Sequence, residues 1–169
     1  LSIIAILVGR QLLRVRSDEI NLVELEKGGA AASKEASELY KLGSVQLKKR
    51  LYPQAISSLE NALKQIAEEP DEAKAIIENA IGFAWAAQDK FKQAIKHYQK
   101  AIKAKPDYPV ALNNLAFAKQ RLFQNEEAQD IYQKVIDIEP QNQTALKQLN
   151  KIERITKKKL PNSSNRRGF

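Results

Sequence analysis

The stretch AIGFAWAAQDKFKQAIKHYQKAIKAKP, residues 80–106, decides the fold of this chain. Adding 34 to the positions of its Gly82, Ala94, Ala101 and Pro106 gives Ala116, Ala128, Val135 and Pro140. The large residues keep the same phase: Ile81, Trp85, Phe91 and Tyr98 correspond to Leu115, Lys119, Asn125 and Tyr132, and two of the four pairs stay apolar. Small residues allow two helices to touch, large ones fill the gaps, and a proline ends the second helix. One such unit cannot bury its apolar face alone, so the pattern predicts a stack of helix pairs.

A further copy lies upstream. Leu42, Gly43, Tyr52, Ala55, Leu59 and Ala62 correspond to Ile81, Gly82, Phe91, Ala94, Tyr98 and Ala101, but at an interval five positions longer than the other. The insertion falls around Ile66 to Ala73, where Glu68, Glu69, Pro70, Asp71 and Glu72 interrupt the apolar rhythm, and it should lengthen one or both flanking helices. This frame resembles the tetratricopeptide repeat (TPR) family, with Gly43, Gly82 and Ala116 at the close approach of each pair. A steric requirement at that place predicts that Ala replaces Gly82 without loss, and that Leu does not.

Length and composition agree with an all-α solenoid of three helix-turn-helix repeats, about 36–74, 75–108 and 109–142, closed by a capping helix to residue 158. Glycine and proline number six each, and no run alternates at period two for long enough to form a sheet. Cysteine is absent, which excludes disulfides, thiolate ligation and thiol catalysis from this chain.

Outside the repeats the sequence changes character. Leu1, Ile3, Ile4, Ala5, Ile6, Leu7 and Val8 form an apolar run that leads into Arg10, Arg14 and Arg16, with no acid before Asp18. Nine helical residues reach about 14 Å, roughly half a hydrocarbon core. A core helix or a signal-peptide remnant would share the run, but the arginines match the flank of a membrane helix on its non-translocated side. Residues 1–27 are therefore read as the end of a membrane helix and a juxtamembrane helix, and 28–33 as a hinge carrying Gly28 and Gly29.

The net charge of +8 is concentrated at the ends. Eight basic residues against Glu153 give +7 over residues 147–169, and residues 1–16 add +3, so the body between them is close to neutral. A nucleic-acid reader needs basic residues over its folded face, and none is expected here. Residues 159–169 read as a disordered tail, and the basic C-terminal region either as a solvated end or as a clasp for anionic lipid or an acidic partner.

Nothing points to an enzyme. His97, the single histidine, reads as an exposed helical residue rather than a general base or ligand. No phosphate loop, metal-ligand spacing or nucleophile with a base partner can be assembled, so no catalytic, cofactor or metal residues are expected.

Function in the TPR family comes from the groove lined by the first helix of each repeat. The resemblance places Tyr40, Ser44, Leu47 and Lys48 there, then Asn79, Phe83, Ala86 and Ala87, then Asn113, Phe117, Gln120 and Arg121. The clamp that holds a C-terminal carboxylate in chaperone-binding members is missing, because Tyr40 and Ser44 stand where it needs a cation and an amide. Phe83 and Phe117 offer apolar area, and Asn79 and Asn113 can give and accept hydrogen bonds with a partner's backbone; packing of the two rings between helices is the plainer alternative.

The runs Ala80-Ile81-Gly82-Phe83-Ala84, Pro106-Asp107-Tyr108 with Ala111-Leu112-Asn113-Asn114-Leu115, and Leu42-Gly43 with Leu51-Tyr52 and Gln54-Ala55-Ile56 narrow the likeness. They resemble the membrane-anchored TPR photosystem I assembly factors of chloroplasts and cyanobacteria, over about residues 1–150. The resemblance implies a non-catalytic, chaperone-like scaffold at the thylakoid membrane. Its repeats would face the stroma, or the cytoplasm in a cyanobacterium, and bind photosystem I subunits or other assembly factors. A membrane-anchored TPR receptor for chaperones or imported proteins would share anchor and repeats. If Arg10, Arg14 and Arg16 flank a membrane helix, the protein should resist alkaline washing of thylakoids while stromal-side protease digests its repeats; release by the wash, or protected repeats, would overturn this topology.

Overall fold

A wedge of one large side chain against one small residue joins the helices of each repeat. A computed structural model of the protein describes residues 36–66 and 71–159, with side chains as far as Ile155. Seven α-helices are present among these residues: α1 (Ala36–Lys48), α2 (Tyr52–Gln65), α3 (Asp71–Ala86), α4 (Phe91–Ala104), α5 (Pro109–Arg121), α6 (Asn125–Ile138) and α7 (Gln143–Lys159). Each helix packs on the next, so the chain is a TPR solenoid of three pairs followed by α7. The apolar run with Arg10, Arg14 and Arg16, the hinge, Ala67 to Pro70 and the tail beyond Lys159 lie outside the described residues. No helix among the described residues is long and apolar enough to cross a membrane.

Three turns of one design close the pairs. Arg50, Asp89 and Phe123 hold equivalent places and all adopt the left-handed conformation, with φ of 60°, 57° and 63°. The next residue then reaches back across the helix end: Leu51 N–H donates to Gln46 C=O at 2.9 Å, Lys90 to Trp85 and Gln124 to Lys119 at 3.0 Å. This hydrogen-bonded cap satisfies carbonyls that the helix end would otherwise leave open. Phe123 takes this conformation, unfavourable for a bulky residue, while 90% exposed.

The inserted residues add one turn to α3. It has 16 residues where α1 and α5 have 13, and its extra turn, Asp71 to Lys74, precedes the position matched by Pro109. Glu72 in that turn bonds Lys105, just past the end of α4 in the same helix pair, and the hydrogen bond and charge of Lys105 hold its carboxyl below the usual carboxylate range.

Burial follows the repeat. Leu59, Tyr98 and Tyr132 occupy one equivalent place and are all buried, as are Ala62, Ala101 and Val135 one turn on. Three apolar clusters run along the stack, with Trp85 shared by the first and second and Ile102 and Ile131 by the second and third. Two polar pairs interrupt this core: Ser58 Oγ donates to Gln46 Oε1 at 2.8 Å in the first repeat, and Glu78 meets His97 in the second. Glu78, 6% exposed, stands where the next repeat has Leu112, and its Oε2 lies 2.6 Å from His97 Nδ1, with Lys100 Nζ 3.5 Å from Oε1. The exposed His97 expected from sequence is thus half-buried, because its partner's carboxylate needs a hydrogen-bond donor or a cation once removed from water.

The close approach is tighter than a steric tolerance for Ala allows. A Cβ on Gly82 would sit 2.6 Å from Tyr98 Cε1 and 2.7 Å from Cδ1, and one on Gly43 would sit 2.6 Å from Leu59 Cγ. Tyr98 is only 2% exposed and cannot swing away freely. Gly82→Ala should therefore destabilise the protein by about 1–3 kcal/mol from overpacking, outweighing the roughly 0.5–1 kcal/mol that Ala gains in helix propensity. A thermal-denaturation cycle with Tyr98→Leu tests the cause: the penalty for Gly82→Ala should shrink in the Leu background, and an unchanged penalty would exclude the ring as its source.

Candidate functional site: the face of the first helices

Helices α1, α3 and α5 present one residue set at equivalent positions, and the structure treats its members differently. Phe83 and Phe117, one repeat apart, are 47% and 41% exposed. Phe117 meets the buried Phe91 edge to face, with centroids 6.3 Å apart. Arg121 lays its guanidinium 4.5 Å from the Phe91 centroid and 5.8 Å from that of Phe117, and its Nη2 is 3.2 Å from Asp89 Oδ1. This stack fixes Arg121 over the aromatic pair and leaves one face of Phe117 open.

The two asparagines hold neighbouring repeats together. Asn79 Oδ1 accepts from Asn114 Nδ2 at 2.9 Å, and Asn79 lies beside Tyr108, just before α5, where it opposes part of the upward push on that phenol. In the same register, Asn113 Nδ2 donates to Asn142 Oδ1 at 3.2 Å, just before α7. Asn142 Oδ1 accepts from Ala145 N–H at 3.1 Å as the N-terminal cap of α7. Both amides expected to face a partner's backbone thus already bind the chain, and Asn113 Oδ1 is buried with no partner among the described residues. The family resemblance located them on first helices but could not show that side chains from the next repeat boundary return to meet them.

Ser44, Gln120 and Ala86 are half-buried, Lys48 and Ala87 are exposed, and Leu47 packs against the first apolar cluster. Tyr40 lines a cleft of about 580 Å³ between α1 and α3, shared with Ser37, Ala73, Ile76 and Ile77. Burial, with a smaller contribution from Tyr40, pushes the Tyr108 phenol up, against the charge of Lys105 and the Asn79 amide. Ile76 and Val110, 37% and 53% exposed, belong to this face although sequence reading did not select them. The signal was present: each lies two helical turns before Phe83 or Phe117. Two helices therefore show an apolar–amide–apolar row in the same register. Among the described residues, no His, Asp and Glu group could hold a metal ion.

The fold agrees with that of similar proteins. The TPR repeat family is matched over residues 82–122, and the tetratricopeptide repeat over residues 109–142. Chloroplastic PYG7 of Arabidopsis thaliana, a TPR domain-containing protein, is 29% identical over 136 residues, covering 80% of this chain and 45% of its own length. The ycf37 protein of Guillardia theta is 28% identical over 147 residues, covering 87% of this chain and 83% of its own. The chain is a TPR protein, homologous to ycf37 and PYG7. In fold it is similar to the first TPR domain of Spaghetti (RPAP3), solved with an HSP90 peptide, with a TM-score of 0.67 at 24% identity over 75% of this chain and 99% of that one. This TPR chain spans under half the length of PYG7.

The Asn113–Asn142 contact gives a direct test. Asn142→Ala removes the α7 cap and strands the Asn113 amide, so unfolding free energy should fall by roughly 1–2 kcal/mol. Hydrogen exchange should accelerate at residues 143–155 before the first two repeats; uniform acceleration, or none, would mean that the contact does not secure α7.

Proposed function

We propose that this TPR protein is a non-catalytic scaffold at the thylakoid membrane that assists assembly or stability of photosystem I by binding its subunits or other assembly factors. The observation that carries the reading is the repeated half-exposed row Ile76–Asn79–Phe83 and Val110–Asn113–Phe117 on neighbouring first helices. Isolated exposed apolar residues are ordinary, but an aligned set beside a cleft is the form of a protein-binding surface. The chloroplastic relative PYG7 and the residue runs given above support the plastid and photosystem assignment. Attachment through residues 1–16, a stromal or cytoplasmic orientation of the repeats and contact of the basic C-terminal region with anionic lipid belong to the same proposal.

Partner contacts are assigned to Tyr40, Ser44, Leu47, Lys48, Asn79, Phe83, Asn113, Phe117, Gln120 and Arg121. Asn79 and Asn113 contribute mainly by fixing the surface. A tagged full-length protein from solubilised thylakoids should retain photosystem I subunits or assembly factors, and Phe83→Ser with Phe117→Ser should release them by more than tenfold without loss of helix content. Retention of chaperone tails or import substrates instead would establish the receptor reading, and retention unchanged by the double substitution would move the contact to another surface.

A further inference from the structure

We propose that two copies of this chain associate through their second helices, the cationic ridge of α4 in one copy lying along the acidic ridge of α6 in the other. The two helices have 14 residues each, and every residue of α6 stands 34 after its counterpart in α4. Their buried faces match, Ala94, Tyr98 and Ala101 against Ala128, Tyr132 and Val135, so their outward positions match as well. Those outward positions reverse their charge. Lys92, Lys96 and Lys103 give way to Glu126, Asp130 and Asp137, while the remaining position keeps its sign as Lys100 and Lys134, and all of these residues are exposed. Spacings of four, four and three residues line them up as one ridge of about 16 Å on each helix. The first repeat has no such ridge, since Pro53, Ser57 and Asn61 of α2 are uncharged and only Lys64 carries a charge.

Neither ridge is used within the chain. Among the described residues Lys92, Lys96, Lys103, Glu126 and Asp130 have no ion pair or side-chain hydrogen bond, and Asp137 accepts only from the neutral Gln133. Lys100 is committed, with its Nζ 3.5 Å from the buried Glu78. Charges nearer the first helices are matched instead, Lys119 by Glu127 and Arg121 by Asp89. The α4 and α6 helices flank α5, and Ile102 and Ile131 pack in the same two apolar clusters, so the ridges run side by side in one direction.

Symmetry decides what such a surface fits. A twofold axis parallel to the helices and midway between them exchanges the ridges and keeps their direction, so each α4 residue meets its own counterpart in α6 of the second copy. Lys92 then faces Glu126, Lys96 faces Asp130 and Lys103 faces Asp137, and each pair occurs twice because the interface is isologous. An axis across the helices would lay α4 on α4 and repel. The like pair of Lys100 and Lys134 is tempered by Glu78 on one side, and by Asp130 and Asp137 one helical turn away on the other. Exposed ion pairs are individually weak, so the association is reversible and weakens with salt. An anionic membrane would attract α4 and be repelled by α6, whereas a second copy carries both signs at the required spacing. This contact lies away from the first-helix face and does not rest on the scaffold reading.

Sedimentation equilibrium of the full chain in a density-matched non-ionic detergent should show a monomer–dimer equilibrium that high salt weakens at least tenfold. Lys92→Glu with Lys96→Glu turns the first two pairs repulsive in both of their occurrences and should weaken dimerisation more than tenfold. Glu126→Lys with Asp130→Lys should do the same, each variant keeping the parent's circular dichroism. Mixed together, the two variants should pair again, because an all-acidic surface then meets an all-basic one. The chain has no cysteine, so Lys96→Cys with Asp130→Cys should give a disulfide-linked dimer on mild oxidation, and Lys96→Cys alone should not. A monomer at low salt, or a dimer indifferent to salt or to either reversal, would overturn the inference. So would reversed variants that stay apart when mixed, or oxidation that links Lys96→Cys alone as fully as the pair.

Discussion

The seating of a large second-helix side chain on a small first-helix residue is the constraint on which the solenoid depends. Leu59 rests on Gly43, Tyr98 on Gly82, and Tyr132 takes the equivalent place opposite Ala116. At Gly82 the ring lies nearer than a methyl group permits, so the helix pair is set by contact between ring and backbone rather than by apolar content alone. Tyr98 and Tyr132 are carried deep enough that burial pushes both phenols well above their ordinary range, and the Tyr132 hydroxyl has no partner among the described residues. A repeat that fixes its helix spacing in this way fixes where its outer residues face.

Between repeats the chain uses polar contacts as well as apolar ones. Asn79 with Asn114 and Asn113 with Asn142 tie neighbouring repeats together, and Glu72 with Lys105 closes the second helix pair from outside. Stability in a linear stack is approximately a sum of repeat and neighbour terms, so such ties act locally. Their consequence is that Phe83, Phe117, Ile76 and Val110 are held in a fixed relation although they contribute little to the core. Arg121, stacked on Phe91 and bound to Asp89, acts in the same way, since one cation orders an aromatic pair and closes a turn.

The second repeat buries Glu78 against His97, where the first has Ser58 bonded to Gln46. Leu112 and Ile131 fill the matching places in the third repeat, so the fold itself does not require a polar pair there. Removing Glu78 would leave the half-buried His97 without its partner, whereas removing His97 would leave Glu78 with Lys100 alone.

Much of this was legible along the chain. The recurrence of small and large residues determined the helix pairs, the longer first interval foretold a lengthening around Ile66 to Ala73 that fell on α3, and the family resemblance of that frame put Tyr40, Asn79 and Asn113 on first helices. Those are properties of period, and period survives in one dimension. What the tertiary structure alone decided depends on distances between residues remote in sequence. Ala cannot stand at Gly82 without displacing Tyr98, His97 turns toward Glu78 rather than toward water, and Asn113 is committed to Asn142. A sequence states which residues recur; only the folded chain brings each one near the particular atom that settles whether it packs, pairs or stays open.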